Sequence, residues 1–120
     1  MAVRGVRGAT TANENTRVDI LNATSELLHE IVNRNDISID DIAYVLFTTT
    51  ADLNAEFPAA AAREIGWGNV ALMCGHEMSV PGALSRCIRV MLLINTRKSA
   101  EDIENVYLRD SIGLRDRPSS

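Results

Sequence analysis

The chain has 120 residues, a net charge of −4 and a hydrophobic fraction of 46%, which suits one compact domain over residues 1–120. Only 4% of the residues are aromatic, so the core must be aliphatic. The acidic balance excludes a general nucleic-acid binder, which would carry a basic stripe. No apolar run approaches the ~18 residues of a membrane-spanning helix. Cys74 and Cys87 form no CxxC pair and no signal peptide is visible, so the expected compartment is a reducing cytoplasm.

Residues 3–8 read as a first strand, with Val3, Gly5 and Arg7 on one face and Arg4, Val6 and Gly8 on the other. Residues 9–15 are polar and loop-like. Thr16 with Asp19 three residues later marks a helix start. Val18, Leu21, Leu28, Ile31 and Val32 then give residues 17–34 an apolar helical stripe. Residues 38–41 resemble the cap of a short helical turn, and 43–50 are a β-branched, apolar run suited to a buried strand. Phe57-Pro58 introduces a helix at Ala59, and Gly66 suits its end. Residues 70–74 form a third strand, Pro81-Gly82 a turn, and 88–95 the strongest strand of the chain. Ser99 opens a further helical turn, residues 105–108 read as a last long strand, and 112–114 offer a short extra one. The charged stretch 115–120 is expected to be a flexible tail.

This order predicts an α+β (α/β) fold, a mixed five-stranded sheet with two main helices on one face. At this size the other face stays under-buried, and an aliphatic surface of that extent implies association.

Three positions stand out chemically. Arg89 lies inside Ile88-Arg89-Val90-Met91-Leu92-Leu93-Ile94 and shares its face with Met91 and Leu93. An isolated charge there is costly, so it needs an anionic partner, internal or a ligand; a strand-end arginine that snorkels to water is the plainer alternative. Arg7 lies on a strand face beside Val3, between glycines that permit a close approach, or it is an ordinary edge charge. Glu77 follows a strand end, a common place for functional groups. Cys74, His76 and Glu77 are neighbours, but there is no HExxH, and His29 lies on the long helix; no metal is expected. No Cys–His nucleophile is expected either, since no third group orients the pair. Phe57, Arg63, Tyr107 and Arg115 read singly as a helix-entry staple, a solvated helix charge, a core aromatic and a tail charge.

Taken together, several segments resemble the homotrimeric α/β class of chorismate mutase, unrelated in fold to the all-helical class. They are Arg4-Gly5-Val6-Arg7-Gly8-Ala9-Thr10-Thr11, residues 47–53, Phe57-Pro58-Ala59, Ala62-Arg63, Val80-Pro81-Gly82, Cys87-Ile88-Arg89-Val90-Met91 and Val106-Tyr107-Leu108. The resemblance implies three subunits joined into a pseudo α/β barrel, with clefts between neighbours in which chorismate rearranges to prephenate without cofactor or metal. It implies that Arg89 contacts the ether oxygen and a carboxylate. Glu77 accepts a hydrogen bond from the ring hydroxyl, helped by Cys74. Arg7 and Tyr107 meet carboxylates, and Phe57 walls the cleft from the neighbouring subunit. Met73 lines a strand end, and Arg63 and Arg115 sit at the rim. Ala60 stands where relatives can carry a lysine, and Gly75 and His76 vary the loop before Glu77. Two other readings stay open: a trimeric imine deaminase of similar architecture, and a non-catalytic module that binds a small aromatic-pathway acid.

Overall fold

A computed structural model describes residues 1–116, with side chains as far as Leu114. The strands are β1 (Ala2–Thr11), β2 (Ile42–Thr49), β3 (Ala71–His76), β4 (Cys87–Thr96) and β5 (Val106–Tyr107); the helices are α1 (Arg17–Asn35) and α2 (Ala59–Glu64). Short 3₁₀ segments occupy Ile39–Asp41, Ala100–Asp102 and Arg109–Asp116. Among the described residues, no helix is long and apolar enough to cross a membrane.

The five strands form one mixed sheet in the order β3-β2-β4-β1-β5. β4, the most apolar strand, lies at the centre, antiparallel to both β1 and β2. The edges β3 and β5 run parallel to their neighbours β2 and β1. Alternation along the strands separates two faces. Val6, Val45, Phe47, Val90, Leu92, Ile94 and Val106 point to one side. There they pack with Leu27, Leu28 and Ile31 of α1, Ala59 and Ala62 of α2, and Trp67. The other side carries Val3, Arg7, Tyr44, Leu46, Met73, Met91 and Leu93, each exposed or half-buried. Among the described residues no helix or strand forms a second layer over it; Leu114 and Leu84 cover only its end at Ala9 and Cys87.

Helix α1 starts where Thr16 Oγ1 accepts the Asp19 N–H at 3.2 Å, the N-cap contact that the spacing predicts. It ends at Asp36 in the left-handed region, whose N–H donates to Val32 O. Its buried stripe is Ile20, Ala23, Leu27, Leu28 and Ile31. Val18, placed on that stripe from the sequence, is 62% exposed, because the 3.6-residue period turns it to the face away from Ile20, Ala23, Leu27 and Ile31. Gly8 sets how closely α1 approaches: a Cβ there would stand 2.7 Å from Ile31 Cδ1 and 3.2 Å from both Leu27 Cδ1 and Val106 O. α2 is short and closes as expected at Gly66, with φ +98, where Trp67 N–H donates to Ala62 O at 2.9 Å.

Three expected elements differ. Residues 9–11 continue β1 instead of forming a loop; Ala9, Thr10 and Thr11 are buried and pair with Arg89, Ile88 and Cys87. The last strand holds only Val106 and Tyr107, because the chain then turns into a 3₁₀ segment that also absorbs residues 112–114. Leu114 is buried against Ala9 and Cys87, so order extends to that residue. The side chain of Arg115, and the remainder of the expected tail from 117 on, lie outside the described residues.

Candidate active site

Strand register assembles the site. Thr48 of β2 pairs with Arg89 of β4, Arg89 with Ala9 of β1, and Ala9 with Tyr107 of β5. This is one row across four strands on the open face, spanning roughly 14 Å at ~4.8 Å per strand. The adjacent row is Leu46, Met91 and Arg7. The small side chain of Ala9 leaves a depression between Arg89 and Tyr107. The result is a hollow of ≈ 190 Å³ whose walls include Arg7, Glu77, Arg89 and Tyr107 over a floor of Ala9, Leu46, Thr48 and Met91. Four of the residues expected to act on substrate therefore meet in one place.

Neighbouring residues hold them in place. Glu77 follows β3; its N–H donates to Thr49 O at 2.8 Å, and its Oε2 accepts from Thr48 Oγ1. The carboxylate is thereby fixed on the open face. Arg89 is half-buried and forms no ion pair with a described carboxylate. Its guanidinium reaches the thiol of Cys87; burial pushes that thiol up, and the arginine partly offsets this. The Arg7 N–H donates to Asn105 Oδ1 at 2.8 Å. Asn105 follows Glu104, whose N–H and carbonyl both bond the buried Asn35 at the end of α1. Thus α1 anchors the segment that carries Tyr107.

The remaining expected residues lie elsewhere. Cys74 pairs with Phe47 and so faces the helices, opposite to Glu77. Burial raises its pKa, offset in part by a hydrogen bond at Ala59 and by the charge of Arg63. Within one chain Cys74 therefore cannot assist Glu77. It lines a second hollow of ≈ 320 Å³ with Phe57, Glu56, Gly75 and His76. Phe57 is 65% exposed. Arg63 is close enough to help lower the pKa of Glu56, after the larger effects of the Phe57 N–H and Arg17. Met73, on the edge strand, is 59% exposed and accepts from the Tyr44 hydroxyl at 3.7 Å. Sequence reasoning missed Thr48 and Asn105 as site-holding residues. The period-two alternation that puts Thr48 on one face with Tyr44 and Leu46 was the available signal for the first; the second had none.

The hollow, two arginines and a fixed carboxylate over an apolar floor, suits a small organic dianion with a hydroxyl. The family model for chorismate mutase type I matches residues 3–117. The chain belongs to the chorismate mutase type I family. This decides against the imine deaminase as family. A chorismate mutase of Bacillus subtilis is 42% identical over 116 residues, covering 96% of this chain and 91% of the relative. One from Thermus thermophilus is 46% identical over 114 residues, covering 94% and 93%. Among solved structures, a chorismate mutase from Clostridium thermocellum matches with a TM-score of 0.88 and 48% identity, over 89% of this chain and 96% of that one.

Proposed function

We propose that the chain is an isomerase that rearranges chorismate to prephenate, a step of aromatic amino-acid biosynthesis, at a site completed by a neighbouring subunit of a homotrimer. The observation that carries this is the convergence of Arg7, Arg89 and Glu77 on one hollow in which Arg89 has no carboxylate partner among the described residues. The two cysteines are free, which suits a reducing cytoplasm.

The reaction is a concerted shift within one molecule: a carbon–oxygen bond breaks as a carbon–carbon bond forms, and no proton need move. The protein must hold the side chain of the dianion over its ring and stabilise charge that grows on the ether oxygen. Arg89 fits the second task, at the centre of the row. Arg7 and Tyr107 bind carboxylates on one side of it, and Glu77, aimed by Thr48, accepts from the ring hydroxyl on the other. The hollow, at ≈ 190 Å³, is smaller than the ~300 Å³ at which ligand pockets usually begin. A second subunit that lays Phe57, Arg63 and Cys74 over it supplies the missing wall and would let Cys74 approach Glu77 across the interface. A trimer also covers the apolar sheet face.

Loss of chorismate's ultraviolet band, with acid conversion of the product to phenylpyruvate, tests the reading. Arg89→Ala should lower the rate by ~10²–10³, the effect of removing one oxyanion donor. Arg89→Lys should also be poor, lacking the planar fork. Binding of chorismate without turnover would instead favour the non-catalytic module.

A further inference from the structure

Thr50, Asp52 and Arg86 form a clasp beneath the hollow, where β1 and β2 end and β4 begins. Thr50 Oγ1 donates to Asp52 Oδ1. Asp52 Oδ2 accepts the Arg86 N–H at 2.9 Å. The Cys87 N–H donates to Thr50 Oγ1 at 3.0 Å, and the Thr50 N–H donates to Cys87 O at 3.1 Å. Arg86 also ties in β1: its carbonyl accepts the Ala12 N–H at 2.9 Å, and its Nε donates to Ala12 O at 3.2 Å.

Arg86 has φ +47, a left-handed conformation that a residue with a side chain adopts only when its surroundings hold it there. Three residues further on is Arg89. Rotation at Arg86 would carry the start of β4 with it and swing the guanidinium in the hollow. Asp52 is exposed and does not line the hollow, so it does not contact a ligand bound there.

We infer that Asp52, acting with Thr50 through the backbone of Arg86 and Cys87, is a positioning residue for Arg89. The inference rests on the role proposed above for Arg89. Displacement of a reacting group by ~1 Å can cost ~10²-fold in rate. Because the group displaced acts on the transition state, the loss should appear in kcat more than in KM.

The test is chorismate turnover by the assembled enzyme and its variants Asp52→Ala, Thr50→Val, Thr50→Ser, Arg89→Ala and the double variant Asp52→Ala/Arg89→Ala. Asp52→Ala is expected to lose about tenfold to 10²-fold in kcat with a smaller change in KM. Thr50→Val should behave likewise, and Thr50→Ser, which keeps the hydroxyl, should recover most of the rate. In the Arg89→Ala background, Asp52→Ala should cost little more, because the group it positions is gone. A lowered melting temperature with unchanged kcat in Asp52→Ala would overturn the inference, as would losses that multiply in the double variant. Should Asp52→Ala fail to fold, equal kcat in Thr50→Val and Thr50→Ser overturns it. If Arg89→Ala turns over normally, the Arg89 assignment fails and the inference with it; a slow Arg89→Ala beside an unimpaired Asp52→Ala overturns the inference alone.

Discussion

Arg89 and Thr48 face each other across two strands, yet only one was legible in the sequence. An arginine among six apolar strand positions conflicts with its surroundings, and that conflict is a functional signal. A threonine in a β-branched run conflicts with nothing, so the hydrogen bond it gives Glu77 becomes visible only once the strands are paired. A hydrogen bond to a charged group contributes ~1.5–3 kcal/mol. Thr48→Val is therefore expected to lower kcat/KM by about tenfold or more, and Thr48→Ser to keep most of it; steady-state kinetics of the two decide. Acid provides a separate probe of Asp52. Burial would raise its pKa, but the hydrogen bonds from Thr50 and the Arg86 N–H, with the charge of Arg86, outweigh burial and leave it below 3.8. A depressed folded-state pKa means that the carboxylate's contribution is complete above the unfolded value and lost as pH falls through the folded one. The Asp52→Asn variant should accordingly show a flatter stability profile below about pH 4 than the native protein in acid melts.

At the scale of elements, the strands and helices came through where periodicity was strong, in α1, β2 and β4. They blurred where one element borrowed its partner from far along the chain. The end of β1 reads as a loop because Ala9, Thr10 and Thr11 are small and polar; they are strand because β4 lies opposite them. The last strand is short because Arg109 takes a left-handed conformation, φ +52, and Leu108 O accepts the Ser111 N–H at 3.1 Å, which turns the chain into the 3₁₀ segment. Gly8 is the position where element packing is most tightly determined. The Cβ of Gly8→Ala would sit 2.7 Å from Ile31 Cδ1 and 3.2 Å from the Val106 carbonyl, so the Ile31 side chain must turn aside and the carbonyl give by a few tenths of an ångström. Overpacking of this kind costs ~1–3 kcal/mol. We expect Gly8→Ala to lower the unfolding free energy by that amount, read from the shift of the denaturation midpoint at unchanged m. Because Arg7 and Ala9 flank it, turnover at temperatures where the variant is fully folded should fall too. An unchanged midpoint would mean that α1 gives way freely.

At the scale of the whole molecule, the residues proposed for the site lie in two groups on opposite sides of the sheet. Arg7, Glu77, Arg89 and Tyr107 line the open-face hollow, while Phe57 and Cys74 line the helix-side hollow, with Arg63 nearby. One chain cannot fold the second set onto the first, because β2 and β3 lie between them. A neighbouring copy can, provided that a closed ring repeats the same heterologous contact at each interface. This arrangement predicts complementation. Arg89→Ala damages only the first half-site, and Arg63→Asp only the second. In a trimer assembled from equal amounts of the two variants, about one interface in four joins an undamaged half from each chain. Co-refolded mixtures should therefore recover up to about a quarter of the native rate per site, although each variant alone is slow. If every site were built within one subunit, mixing would give no more than the average of the two variants. A mixture that stays at that average, from a sample whose native mass spectrum shows mixed trimers, would place the second hollow outside the active site.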